Sequence, residues 1–174
     1  ETNEIIHHKI FNEFDFLNEN AYLIGVHQNC QVTTNRGSNC KLVDVSHENK
    51  IVHQVFAASF SLGKNVISNQ KNIEIMKFML ATEYKLTILA AWENSLMFPD
   101  HVGSNKCVLT LIGAGIFFNP IEVVASAILA NKDLIVKSGI DVYVTCFSGN
   151  IFKAVDNVLH DAVIETGGSF IDAR

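Results

Sequence analysis

The feature that most constrains the fold is the stretch Val108–Asn119, which reads VLTLIGAGIFFN and is followed by Pro120. Val108–Ile112 is apolar and partly β-branched, which predicts a strand that is covered on both faces. Gly113 and Gly115 remove Cβ constraints where the chain turns or approaches a ligand. Pro120 suits the first helical position, where its missing N–H has no partner to lose. The stretch therefore predicts a buried strand, a glycine turn and a helix.

The same turn has the chemistry of an anion site. The free N–H groups at the helix start, together with the glycine backbone before them, form a cradle for a phosphate. A tight strand-to-helix turn that binds nothing has the same pattern, because a lone Gly-x-Gly is a weak motif. Spacing alone supports the two interpretations about equally.

The rest of the chain predicts an alternation of strands and helices. The other predicted strands are Ala21–Val26, Ile51–Phe60 and Ile140–Cys146. Apolar residues at helical spacing predict a long helix from Ser68 or Asn69 to about Asn94, and shorter helices over Pro120–Lys132 and Ile151–Ile164. Strands separated by helices indicate an α/β layered fold with parallel neighbours. The length suits a single domain over residues 1–174.

Bulk composition argues against several classes of protein. Hydrophobic residues make up 48% of the chain, which indicates a globular rather than a disordered protein. The formal net charge is -5, and the arginines are Arg36 and Arg174, which argues against binding to a nucleic-acid backbone. No apolar run reaches the length of a membrane span, and the start does not read as a signal peptide.

The cysteines indicate neither a metal site nor a disulfide framework. They are scattered and form no C-x-x-C pair: Cys30, Cys40, Cys107 and Cys146. His7 and His8 make too short a pair for a metal site. We therefore expect no metal or other cofactor, and a reducing, cytoplasmic location.

Several segments occur in an order that points to a known family. A helical segment, Tyr84–Ala91, precedes the strand that leads into Gly113–Phe117; a helix and the strand Val142–Cys146 follow, and then Phe147. This series resembles a macrodomain, the ADP-ribose-binding α/β fold. It is most similar to the poly(ADP-ribose) glycohydrolase type, including related forms in bacterial effectors. The resemblance covers roughly residues 20–160 and implies a three-layer α/β/α architecture around a mixed sheet.

The resemblance implies a set of ligand-binding residues. The Gly-x-Gly-x-Phe turn would hold the diphosphate through backbone N–H groups, Phe117 or Phe118 would cover the distal ribose, and Phe147 would pack on the nucleotide. Core packing is the alternative for each of these rings. The polar loop after the first strand would contact adenine or ribose. The expected contacts are Gly113, Ala114, Gly115, Ile116, Phe117, Phe118, Asn119, Phe147, Thr34 and Asn35.

Two departures from the family pattern affect the functional interpretation. Phe118 stands where the family usually has a small residue, which would narrow the cleft or repack the turn. The glycohydrolase signature, three glycines and then a Gln-Glu-Glu run, is absent, and only about twenty residues precede Ala21. We therefore expect either an incomplete macrodomain, whose catalytic loop and first strands lie upstream, or a divergent member with other acids. In the first case, Ala21–Val26 would be an exposed edge strand or would pair with a neighbour from outside the chain.

The function that the resemblance implies is ADP-ribose binding by a hydrolase that removes ADP-ribose from proteins, in the cytoplasm or, for a secreted effector, in the host cytosol. Two alternatives remain: a reader module without turnover, and another α/β nucleotide-binding domain. A hydrolase needs an acid near the ribose. Among the loops considered, Asp100 is the candidate, and an acid from an upstream segment is its alternative.

Overall fold

The structure is a computed structural model that describes residues 18–32, 51–61, 70–115 and 117–171. It is a mixed α/β protein, as the sequence predicts. A 3-10 turn, Glu19–Ala21, precedes the first strand. The strands are β1 (Gly25–Gln31), β2 (Ile51–Phe56), β3 (Lys106–Leu109) and β4 (Asp141–Val144). The helices are α1 (Gln70–Met97), α2 (Ile121–Leu129), α3 (Lys132–Ser138) and α4 (Gly149–Glu165).

The described strands form two small sheets. β1 pairs antiparallel with β2, and β3 pairs parallel with β4, with Lys106 opposite Asp141 and Leu109 opposite Val144. A parallel pair needs a crossover connection, which α2 and α3 provide. The predicted parallel neighbours are thus confirmed for β3 and β4, whereas the described residues do not join the four strands into one mixed sheet. The three-layer architecture stays a prediction.

The predicted strand Ala21–Val26 is displaced along the chain. Asn18 caps the 3-10 turn, because its side-chain oxygen accepts a hydrogen bond from the backbone N–H of Asn20 at 3.0 Å. The strand begins only at Gly25, which pairs with Phe56. Among the described residues β1 has β2 as its strand partner, and Val26 and Phe56 are exposed.

The core lies between α1, α2, α4 and the β3–β4 pair. Buried side chains at helical spacing on α1 meet a nearly all-apolar α2. The buried members from these two helices are Met76, Leu80, Tyr84, Val124, Ala125, Ala127 and Ile128. From the strands, Cys107 and Leu109 point into the same core. This cluster fixes β3 against α1, and with it the position of the chain that leaves β3.

The prediction of a strand buried on both faces over Val108–Ile112 is wrong in two respects. The strand lies earlier, and it alternates: Cys107 and Leu109 are buried, whereas Val108 is 62% exposed. The Tyr84 hydroxyl donates to the carbonyl of Thr110 at 2.8 Å and accepts from the N–H of Ile112 at 3.1 Å. The Tyr84 hydroxyl thus forms hydrogen bonds with backbone groups that would pair with a neighbouring strand if β3 continued.

The helix predicted over Pro120–Lys132 is shorter, because α2 ends at Leu129, and a separate helix that was not predicted, α3, begins at Lys132. Pro120 is the cap that precedes α2, with an extended ψ of 127°, rather than its first residue. At the other end, the buried amide of Asn131 donates to the carbonyls of Ala127 and Ala81. This side chain ties the end of α2 to α1, and α3 starts at the next residue.

Candidate functional site

The glycine turn between β3 and α2 contains two glycines with different roles. Gly113 has a φ of +79°, and a Cβ there would lie 2.4 Å from the Asn119 side-chain nitrogen and 2.7 Å from the Ser59 Cβ. Only glycine fits that position. Gly115 is exposed, has no left-handed φ, and a Cβ there would meet no atom within 4 Å. The described fold therefore requires glycine at position 113 but not at position 115.

Asn119 anchors the end of the turn to the segment that follows β2. It is 2% exposed, and its amide nitrogen donates to the Ser59 hydroxyl at 2.9 Å and to the Phe60 carbonyl at 3.0 Å. The Ser61 hydroxyl donates to the Phe117 carbonyl at 3.2 Å. The side chain of Asn119, which the sequence placed among the ligand contacts, thus points into the protein and supports the turn.

Phe118 is held outward beside this anchor. Its φ is +55°, in the left-handed region that bulky residues rarely adopt. Its backbone N–H donates to the Gly115 carbonyl at 3.1 Å, and the residue is 65% exposed. Phe117, the family-like aromatic, is 38% exposed.

Phe147 lies at the same edge of the sheet as the turn. Because β3 and β4 are parallel, their carboxyl ends meet at one edge, which is where open α/β sheets bind ligands. Thr145 joins the two ends: its backbone N–H donates to the Leu109 carbonyl at 3.1 Å. Phe147 follows and is 73% exposed. The structure therefore brings the turn and Phe147 to one edge, as the sequence predicts.

Two helices begin at this edge. α2 starts directly after the turn, and α4 starts after Ser148, whose hydroxyl oxygen accepts from the N–H of Ile151 at 3.4 Å. Unpaired N–H groups and the helix dipole make such ends favourable for anions. The exposed carboxylate of Glu122 lies in the first turn of α2, where it interacts with the same dipole and competes with a bound anion.

Asp100 lies at the opposite end of β3. It belongs to the loop before Lys106, where it is exposed, and the ring of His101 stacks on Phe98 with centroids 5.3 Å apart. β3 spans four residues, about 13 Å at the usual rise per residue. The structure therefore does not bring Asp100 to the glycine turn, although the two are close in sequence. Three other expected contacts, Thr34, Asn35 and Ile116, lie outside the described residues.

The sequence analysis missed a pair of buried polar residues that lie behind the turn, Glu83 and Tyr84 on α1. Glu83 is 6% exposed, and burial raises the pKa of its carboxyl to about 7, against the opposing effect of a hydrogen bond with the backbone of Ala58. One of its carboxyl oxygens has no hydrogen-bond partner. Burial also raises the pKa of Tyr84 to about 12. The burial of Glu83 could have been predicted from its spacing, because it lies three residues after Leu80 and therefore on the apolar side of the helix.

A cavity of about 320 Å³ lies away from this edge, beside the junction of α2 and α3. The turn residues do not line it. Its walls include Phe78, Thr82 and Leu134, and the Lys85 ammonium that lines it is 2.5 Å from the Glu19 carboxylate. An ion pair with both partners partly exposed contributes little to stability. The cavity is therefore separate from the candidate site.

Within residues 18–32, 51–61, 70–115 and 117–171, no group of three or more His, Cys, Asp or Glu side chains is arranged to hold a metal ion. None of the helices in those ranges is long and apolar enough to cross a membrane.

No family model, curated protein or solved structure matches the chain. The protein is an α/β protein in which one sheet edge carries a solvent-facing glycine turn, two helix starts and exposed aromatic rings. The macrodomain resemblance continues as a proposal.

Proposed function

We propose that the protein binds ADP-ribose at the carboxyl edge of β3 and β4, with the backbone of Gly113–Gly115 against the diphosphate. The observation that carries the proposal is the setting of Gly115. The described fold gives no reason for glycine there, since a side chain would meet open space. A ligand that approaches the backbone closely would supply that reason.

The chemistry of the edge suits a nucleotide with a diphosphate. Backbone N–H groups form stronger hydrogen bonds to a diphosphate than to a neutral acceptor, because hydrogen bonds to a charged oxygen are shorter and stronger than those between neutral groups. The starts of α2 and α4 add favourable dipoles at the same edge. Phe147 offers a flat apolar face for a base or sugar. This chemistry fits any nucleotide with a diphosphate, and the family resemblance singles out ADP-ribose, free or attached to a protein, as the expected partner.

The position of Asp100 favours a reader over a hydrolase. A general acid must come within hydrogen-bond reach of the reacting sugar, directly or through one water. Asp100 precedes β3, whereas the turn follows it, so this carboxyl is not placed for that role. We therefore put binding first. The second candidate, a hydrolase that removes ADP-ribose from proteins, rests on the family resemblance and on an acid other than Asp100.

The test is titration calorimetry with ADP-ribose, NAD and ATP on the parent chain and on Gly115→Val. We expect the parent to prefer ADP-ribose, and the variant to bind at least about tenfold more weakly, because a β-branched side chain would keep the diphosphate from the backbone. The melting temperature should be unchanged, since the added side chain meets no neighbour.

A matched control is Ala130→Val, which adds the same branched side chain at an exposed position just beyond the other end of α2. This control should bind as the parent does. Equal affinity of Gly115→Val and the parent would contradict the diphosphate assignment, and a preference of the parent for NAD or ATP would favour another class of nucleotide-binding domain.

A further inference from the structure

We infer that Glu83 is a positioning residue for the glycine turn, and that a diphosphate binds at the turn while the Glu83 carboxyl carries a proton. The inference rests on the proposed function, because it assigns a regulating group to the same site. It starts from a residue of α1 that is 6% exposed and whose Oε2 has no hydrogen-bond partner within the described part of the chain. Buried polar groups normally have a partner, so this oxygen requires an explanation.

The carboxyl of Glu83 is connected to the glycine turn through the segment that follows β2. The backbone N–H of Ala58 donates a hydrogen bond to the carboxyl. The next residue, Ser59, is buried against the turn: its hydroxyl accepts from the Asn119 amide at 2.9 Å, and its Cβ lies 2.7 Å from the position that a Cβ on Gly113 would take. Adjacent residues of one segment therefore contact the carboxyl and support the turn.

Within the described ranges, the groups around Glu83 offer no positive charge to an ionised carboxylate. Residues 57–61, which read AASFS, have no ionisable side chain. Burial raises the pKa of Tyr84, the next residue on α1, to about 12 and the pKa of Cys107 on β3 to about 11, so both stay neutral. The charged residues that follow on α1 or lie on β3, α2 and α3, the elements packed on α1, are exposed or already paired: Lys85, Lys106, Glu122, Lys132, Asp133 and Lys137.

Loss of the proton from Glu83 would act on the turn in two ways. A carboxylate without a positive partner in the protein interior is unfavourable. Movement of residues 57–61, which would admit water to Oε2, would also withdraw Ser59 from Gly113 and Asn119. The charge would in addition repel a diphosphate held at the turn, since charges in a protein interior are weakly screened. Both effects oppose binding, so the protonated form is the form that binds.

The size of the effect follows from the fraction of the protein that holds the proton. With a pKa of about 7 for Glu83, that fraction is about nine-tenths at pH 6 and about one-tenth at pH 8, and the apparent affinity falls in proportion to it. In titration calorimetry, the parent chain should therefore bind ADP-ribose about tenfold more weakly at pH 8 than at pH 6. Glu83→Gln stays neutral at both pH values, so its two affinities should agree within about twofold.

Glu93→Gln is the matched control, because it makes the same substitution at an exposed position of the same helix. It should lose affinity between pH 6 and pH 8 as the parent does. All three proteins are also melted at both pH values, so that affinities are compared between folded proteins. A purely structural role of Glu83 would change the melting temperature of Glu83→Gln but would leave the parent's pH dependence of affinity in place.

Four outcomes would overturn the inference, and in three of them the proposed function stands. If the parent binds ADP-ribose equally at pH 6 and pH 8, the proton on Glu83 does not affect the turn. If Glu83→Gln loses affinity with pH as the parent does, another group is responsible. If Glu83→Gln is folded but binds at neither pH, a neutral side chain is not what the turn requires. If the parent itself binds at neither pH, the proposed function fails and the inference fails with it.

Discussion

Replacing the buried Glu83 by glutamine should stabilise the protein, and the gain should depend on pH. Burial raises the pKa of this carboxyl from 4.5 to about 7. The folded protein therefore keeps a proton between those values, whereas the unfolded chain releases it. Wherever the folded state holds more protons than the unfolded state, the free energy of unfolding falls as pH rises. Glu83 thus lowers stability progressively from about pH 4.5, and fully above about pH 7.

The magnitude follows from the size of the shift. The difference between 4.5 and about 7 corresponds to about 3 kcal/mol at 1.36 kcal/mol for each pKa unit. Glutamine does not titrate, keeps an oxygen for the backbone hydrogen bond near Ala58, and has nearly the same volume. Glu83→Gln should therefore be about 3 kcal/mol more stable than the parent at pH 8, and close to the parent at pH 4.

The assay is urea unfolding at pH 4, 6 and 8, followed by the fluorescence of Trp92, the single tryptophan. Other titrating groups affect both proteins alike and cancel in the difference. Glu93→Gln, an exposed change on the same helix, is the matched control and should show no such trend. A difference between Glu83→Gln and the parent that is the same at pH 4 and pH 8 would refute the reasoning.

Two further predictions concern Tyr84, which bonds to the chain that leaves β3, and Asp100, which lies in the loop before β3. Tyr84→Phe should lower the free energy of unfolding by about 1–3 kcal/mol, because it removes two part-buried hydrogen bonds, one to the Thr110 carbonyl and one from the Ile112 N–H. Urea unfolding measures this, and an unchanged midpoint would contradict it. If the protein removes ADP-ribose from a modified protein, Asp100→Ala should do so at the parent's rate, since Asp100 lies at the other end of β3. A rate loss of tenfold or more in a release assay would return Asp100 to the site.

Local pattern predicted most elements of this fold, but it missed α3 and did not give the limits of the others. The apolar spacing found α1 and α4, and the strand–glycine–helix signal found the turn. The end of β3 could not be read from sequence, because it depends on the hydroxyl of Tyr84, a side chain on another helix. Propensity describes a segment and its near neighbours, whereas the limits of β3 follow from a tertiary contact.

The candidate site, too, could be predicted only in part from the sequence. Parallel pairing of β3 and β4 places the turn and Phe147 at one edge, and that follows from an alternation visible in the sequence. The inward direction of the Asn119 side chain could not be predicted from the sequence, because its hydrogen-bond partners Ser59 and Phe60 lie far away in the chain. The choice of Asp100 as the candidate acid was based on its nearness to the turn in sequence. That nearness does not show that the two lie at the same end of β3.

The bond between Asn119 and Ser59 has a consequence for protein engineering. These residues are 60 positions apart, and a Cβ on Gly113 would collide with both. The shape of the turn is therefore not encoded in the stretch from β3 to α2 alone. If that stretch were grafted into another parallel sheet, the turn would lose its contacts with Ser59 and change its conformation. It would keep its shape only if the host protein placed a serine at the same position beside the turn. In folding, too, the turn can reach its final shape only after the chain has closed a long loop.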